Sequence, residues 1–355
     1  MNVITPIKIT DTILVSSTVP ETVAATYSGA TTYGLGDLAG LAPVYGSAQI
    51  VYRSRQAGNV GHAQSDPLWW EVAGTVYPVY ASGSSCPLLG TVTDLANHDL
   101  YISLVAANTG NPLSDTTKWR LTGKTNRWAM FDRLRNTETS VPKSMTFVIA
   151  PGVRTDALAL MGLSNVDTVT VTATSSGVPV YSHVENLDTR EVLDWFTYFF
   201  EPFSTRKNVL LLDIPPITNI IITITLSTVY SGQSIGIGAC VSGSAEFIGH
   251  VQYDAESDEM NFSTITREFD GSVSQLTPRA SVPKNAHTLI VKKQYVNRIR
   301  ALRKALGGVA AVYAGMDDST DDYFDAILIY GVHKRFSINL AHPTNAIINL
   351  EVEEL

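Results

Sequence analysis

The chain has 355 residues, 45% hydrophobic and 16% charged, with a formal net charge of −8. That length accommodates two or three domains with a sizeable core. The acidic balance and the lack of a large Lys/Arg cluster argue against a nucleic-acid partner, because phosphate contacts need clustered cations.

The first 26 residues, opening "MNVITPIKITDTILVSS", lack the basic region and apolar run of a signal peptide. Their Thr/Val/Ile pattern suits an extended arm that adds a strand to a neighbour's sheet. No apolar run reaches 18 residues anywhere, so no membrane insertion is expected. The two cysteines, Cys86 and Cys240, form no disulfide framework and no metal-ligand spacing. Two free buried thiols are the preferred reading, with a single bridge as the alternative.

A repeat follows the arm. "YRSRQAGNVGHAQSDPLWWEVAG" from Tyr52 aligns without gaps to "YISLVAANTGNPLSDTTKWRLTG" from Tyr101, at a constant offset of 49 positions. Shared positions include Tyr52/Tyr101, Ser54/Ser103, Asn59/Asn108, Gly61/Gly110, Asp66/Asp115, Trp70/Trp119 and Gly74/Gly123. Residues 27–75 and 76–124 are therefore expected to be two copies of one small β-module. Each copy reads as strand, polar Asn-x-Gly loop and returning strand. A module this small has little room for a core, so a buried Trp and Tyr would supply most of its burial.

The remainder is strand-rich. After a junction at 125–140, residues 141–250 carry "MTFVIAP", "TVTVTAT", "NVLLLDIP" and "NIIITITLS". In the last of these Ile220, Ile222, Ile224 and Leu226 alternate with more polar residues, as a sandwich strand requires. Residues 251–355 pair β-hairpins with one helix. "REFDGSV" holds an Asp270-Gly271 turn, and "QYVNRIRALRKALGG" from Gln294 places Tyr295, Val296, Ile299, Leu302 and Leu306 at helical spacing, with Gly307 as the stop. The helix has a basic outer face, read as solvated, with contact to phosphate or an acidic partner as the alternative. The fold class expected is mainly β: repeated small modules, a jelly-roll-like sandwich and a C-terminal β-rich domain with one helix.

Three stretches carry a family resemblance. "TTYGLGD" with Tyr33, Gly36 and Asp37, followed by Tyr52, Asn59 and Trp70, resembles the small chitin-binding-like carbohydrate modules of bacterial hydrolases. The second copy has no clear "GD". The start "ITDTILVSSTVPE", the junction string "TNRWAMFD" (Thr125 to Asp132) and the end "LIYGVHKRFSINLAHPTNAIINLEVEEL" resemble a family of tailed-phage and prophage tail-associated virion proteins along nearly the whole chain. The C-terminal hairpin-and-helix pattern is loosely similar to the ring domain of distal tail and baseplate proteins. The resemblance implies a virion role: a ring-forming homo-oligomer at a tail tip or baseplate that contacts other tail proteins, made in the host cytoplasm. Its alternative is a virion protein that binds host-surface polysaccharide, with Trp69, Tyr33, Tyr52 and Trp119 as candidate sugar-stacking residues and Trp69 the preferred one. Asn126, Arg127, Trp128 and Phe131 are expected to tie the modules to the sandwich.

Catalytic and metal motifs are weak. "GQSIG" around Ser234 matches a nucleophile elbow, but a strand-like segment follows where a helix is required. "GLGDLAG" from Gly34 has no βαβ context. The seven histidines, His62, His98, His183, His250, His287, His333 and His342, show no ligand spacing. "DDSTDDYFD" from Asp317 lacks the Gly and closing Glu of an EF-hand. It reads as a solvated loop, with a divalent ion at a subunit contact as the alternative. Asp188, Glu191 and Asp194 offer carboxylates but no spacing that selects a glycosidase pair. No cofactor, no metal and no enzymatic activity are expected.

Overall fold

A computed structural model of the chain describes residues 1–134, 136–189, 194–200, 204–229, 232–253, 255–279, 281–316, 323–340 and 343–355. Residues 317–322 of the acidic run, Glu191, His342 and the side chain of Asp188 lie outside the described residues. The fold is mainly β, with 48% strand and 7% helix, so packing is decided by which faces of the sheets are apolar.

The largest sheet has ten strands. Its order is Asn208–Leu211, Ala157–Met161, Ala239–Phe247, Asn2–Pro6, Ala311–Ala314, Leu328–Asn339, Asn345–Glu354, Ser281–Lys292 and His250–Val251, with Glu256–Asn261 also paired to Ser281–Lys292. A second sheet of five strands runs Val178–Asn186, Thr168–Ser175, Ile220–Ser227, Ser144–Ile149 and Leu14–Ser17. The two sheets meet in a sandwich-like core. Phe147, Ile149, Val169, Val171, Ile222, Ile224 and Leu226 of the smaller sheet pack with Leu158, Leu160, Val209 and Leu211 of the larger one. Strand Ile220–Ser227 buries the apolar alternation that its sequence announces, while Thr223 and Thr225 remain half-buried.

Strand Ala157–Met161 is buried along its whole length. Leu158 and Leu160 face the sandwich, and Ala157, Ala159 and Met161 face a second core with Ile4, Val312 and Tyr330. A third core lies under the C-terminal helix, Val296–Ala305, which inserts Ile299 and Leu302 among Leu289, Val291, Phe336 and Ile348. Tyr295 falls outside the buried stripe and is 42% exposed. The left-handed residue that ends the segment is Gly308, at φ 75°, one position beyond the expected Gly307.

Two expectations are corrected here. The first 26 residues do not form a free arm. Strand Asn2–Pro6 lies inside the largest sheet between Ala239–Phe247 and Ala311–Ala314, with Val3 and Ile4 fully buried. Leu14–Ser17 then forms the edge of the five-stranded sheet. The approach is tight enough that a Cβ on Gly243 would lie 2.0 Å from the Thr5 carbonyl oxygen, so only glycine fits. The second correction concerns the boundary near residue 250. The ten-stranded sheet draws strands from residues 1–26, 141–250 and 251–355, so the sandwich and the C-terminal region share one hydrogen-bonded sheet. The interleaving of apolar strands across the boundary buries edges that two separate domains would expose.

Candidate functional site

The two modules are three-stranded sheets. Module 1 is Leu38–Gly40, Gln49–Ser54 and Trp70–Val76, and module 2 is Thr91–Asp94, Asp99–Ser103 and Trp119–Lys124. Both place a β-bulge at the same point, where the register shifts between Val51/Tyr52 and between Leu100/Tyr101, opposite Gly74 at φ 149° and Gly123 at φ 148°.

Each module is closed by the same polar net. The Trp70 indole N–H donates to the His62 carbonyl at 2.9 Å, and Trp119 donates to the Asn111 carbonyl at 3.0 Å. Asn59 Nδ2 donates to Ser54 Oγ at 3.0 Å, and Asn108 Nδ2 to Ser103 Oγ at 2.9 Å. Tyr27 stands edge-on to Trp70 at 5.7 Å, and Tyr80 to Trp119 at 5.8 Å. These pairings show that the repeat extends upstream of the ungapped match, at an offset of 53 instead of 49. Tyr80 answers to Tyr27, Cys86 to Tyr33 and Leu89-Gly90 to Gly36-Asp37. The loop at 95–98 is four residues shorter than the one at 41–48, which hides this part of the repeat. Leu89 adopts φ 63° where Gly36 has 89°, and both backbone N–H groups bond the carbonyl of the conserved-position serine, Ser103 or Ser54. The second copy is thus a full module without its "GD".

The four candidate sugar residues separate by burial. Tyr33 is 8% and Trp119 3% exposed. Tyr33 stacks on Tyr27 and meets Trp70 edge-on, and Trp119 sits with Cys86, Val92 and Tyr101. A stacked sugar needs an open ring face, so neither serves as a platform. Tyr52 and Trp69 are half-buried beside Trp70. Trp69 carries the His62 ring on one face, at 3.8 Å and 9°. Module 2 has Asn111 and Lys118 at the equivalent positions, so the imidazole–indole pair belongs to module 1 alone. Sequence reading missed His62 as its partner, because the two lie seven residues apart on either side of a loop.

The junction is built around a carboxylate that no motif marks. Glu21, 8% exposed, accepts from the Thr125 hydroxyl at 3.0 Å and the Trp128 indole at 3.3 Å, pairs with His98 Nδ1 at 2.7 Å and lies 3.6 Å from Arg127. The other His98 nitrogen meets Asp11 at 3.1 Å, and its ring stacks on Trp128 at 3.9 Å. Burial pulls the Arg127 guanidinium below its ordinary pKa, and Glu21 opposes that pull. Arg127 Nε also donates to the Val19 carbonyl at 2.7 Å. Asn126 exchanges two hydrogen bonds with the Ser140 backbone. Phe131 bridges Trp128, at 5.9 Å, to Phe147 of the sandwich, at 6.0 Å. His98 and Gln49 occupy the same module position, and both hold the segment at 21–24. The Gln49 side chain accepts from the Ala24 N–H at 2.8 Å and donates back to the Ala24 carbonyl. Beside this node lies a groove of about 440 Å³ lined by Lys8, Asp11, His98, Trp128, Asp132 and Arg133, among others.

Both cysteines are free and buried, and desolvation pushes the Cys240 thiol up to about 12, which keeps it protonated and unreactive. Ser234 opens strand Ser234–Ile237, paired with Thr139–Pro142, so it is not on an elbow. Among the described residues no group of three or more His, Cys, Asp or Glu side chains is placed to hold a metal ion. No described helix is long and apolar enough to cross a membrane. No protein-family model matches the chain, and no curated protein shows significant similarity to it.

Proposed function

We propose that this protein is a structural, self-assembling component of a tailed-phage virion, located at the tail tip or baseplate, where it joins the tail to its tip or fibres. The observation that carries the assembly reading is the hairpin Thr264–Arg267/Val273–Thr277, in which every residue is exposed although Ile265, Val273 and Leu276 are apolar. A two-stranded hairpin with no covered face is marginal in water. A partner surface that covers it would stabilise it. The rigid fastening of both modules to the body through Glu21, His98, Gln49 and Arg127 supports the same reading, since an adaptor transmits force through fixed joints. The virion assignment rests on the resemblance of "TNRWAMFD" and the C-terminal string. The reading is non-enzymatic and treats the sandwich as a jelly-roll scaffold. Sedimentation velocity of the purified chain and immunogold labelling of virions test it. A monomer at every concentration, together with unlabelled particles, would reject it.

A second reading, binding of host-surface polysaccharide, is favoured by the half-exposed Trp69 with its His62 backing. The His62 ring holds the indole in place, and the part of it left exposed is what a sugar would contact. Glycan-array binding that disappears in Trp69→Ala, with an unchanged melting curve, is the expected result. Binding that survives the substitution removes Trp69 from the reading.

A further inference from the structure

Residues 255–279 leave the body of the protein as a two-stranded ribbon. Glu256–Asn261 still pairs with Ser281–Lys292, but Thr264–Arg267 and Val273–Thr277 pair only with each other. Ile265 and Leu276 sit directly opposite one another, 52% and 60% exposed, forming an apolar cross-strand pair with nothing over it. At the tip Phe269 is fully exposed between Glu268 and Asp270. The turn is well made: Glu268 and Ser272 share a backbone bond, Gly271 takes φ 85°, and the Asp270 carboxylate accepts from the Ser272 hydroxyl and N–H. Arg267 donates across the turn to the Gly271 carbonyl at 3.1 Å, so the tip is a preorganised mount for one aromatic ring, with two carboxylates against one guanidinium.

A surface of opposite sign lies on the C-terminal helix. Residues 292–308 hold Lys292, Lys293, Arg298, Arg300, Arg303 and Lys304 and no acidic residue. Ile299, Leu302 and Leu306 point into the core. Arg298 is engaged by Glu246 at 2.9 Å, and Arg303 donates to the Phe336 carbonyl. Arg300 and Lys304, one turn apart on the exposed side, form a cationic row, and the small exposed residue Ala301 lies beside it. A phenyl ring seated on Ala301 beside these cations gains contact area and cation–π attraction, while its acidic neighbours pair with the two charges.

The two surfaces belong to opposite ends of one strand. Ser281–Lys292 starts at the ribbon and ends at the helix, and twelve strand residues span roughly 40 Å. The full exposure of Phe269 shows that the tip does not touch the helix of its own chain. We infer that the ribbon tip, Glu268, Phe269 and Asp270, docks on the outer helix face, Arg300, Ala301 and Lys304, of a second copy of this chain. The occupant is a second copy because the chain carries both halves of the contact, opposite in sign and out of reach of each other. Such a contact is head-to-tail, which generates a closed ring when the rotation between subunits closes. The inference rests on the self-assembly reading and specifies its contact.

The test uses the full-length chain in sedimentation velocity and native mass spectrometry, at low and high salt. Glu268→Lys with Asp270→Lys, and separately Arg300→Glu with Lys304→Glu, each weaken self-association by about tenfold or more at low salt, and combining all four substitutions restores it. High salt weakens the wild type and shrinks these differences. Asp270 also holds the turn through Ser272, so the Arg300→Glu/Lys304→Glu variant, whose two positions are exposed on the helix and whose circular dichroism and melting stay unchanged, separates lost assembly from lost fold. Phe269→Ala weakens association without changing its salt dependence. If the wild type assembles and both charge reversals leave assembly intact, the contact is a different one, such as ribbon against ribbon, and the inference fails while the self-assembly reading stands. A wild type that stays monomeric throughout overturns both.

Discussion

The two modules have the same skeleton and different surfaces. In each, a Trp is pinned by its indole N–H to a loop carbonyl, a Tyr stands edge-on to it, and an Asn and a Ser lock the loop to the strand. The half-buried loop pair differs, His62 and Trp69 in one and Asn111 and Lys118 in the other. What both copies keep is what folds a unit of about 50 residues with almost no aliphatic core. What only one copy keeps is free to vary, and any ligand chemistry has to be sought there. Both copies also use one strand position, Gln49 or His98, to hold the same stretch of chain at 21–24. The repeat therefore shares its mode of attachment as well as its interior.

The equivalence is open to attack from its strongest point outward. Trp70→Ala and Trp119→Ala each remove a ring that is at most 3% exposed. Each is expected to cost about 3–5 kcal/mol, read by hydrogen exchange as loss of protection confined to the mutated module. Protection that survives either change would show that the ring is not the plug. Asn59→Ala and Asn108→Ala should each cost about 1–3 kcal/mol, because a buried serine and the loop carbonyl of Trp69 or Lys118 lose their donor. Markedly unequal losses in urea titrations would break the equivalence of the two nets. Leu89→Gly should stabilise module 2 by up to about 1 kcal/mol, since Leu89 is exposed and held in the left-handed region. Gly36→Leu should destabilise module 1 by a similar amount, and opposite signs in thermal melts are the diagnostic. The smallest effect belongs to Trp69→Ala, a half-exposed site, at about 1 kcal/mol or less. A larger loss there would mark Trp69 as part of the skeleton.

Much of this organisation was legible in the sequence. The alternation of Ile220 to Leu226 announced a strand with one buried face, and Ile299, Leu302 and Leu306 announced the stripe of the helix. The offset of 49 exposed the repeat because no insertion falls between Tyr52 and Gly74. The upstream half stayed hidden because a loop differs by four residues and because Leu89 adopts a conformation usually assigned to glycine. Glu21 left no signal at all. Its partners lie at 98, 125, 127 and 128, and a lone carboxylate between Pro20 and Thr22 looks like any solvated loop residue. The destination of the first strand was equally silent. Its Val and Ile pattern calls for a sheet but cannot say which one.

That first strand sets the order of events during synthesis. Ile4 lies opposite Val312, so the strand waits for roughly 300 more residues before its second neighbour exists, a closure that carries a large entropic cost and slows folding. Until then Asn2–Pro6 is an open edge with Ala239–Phe247 as its one neighbour, and the largest sheet cannot be completed. Chains cut short of residue 314 therefore cannot form the finished sheet.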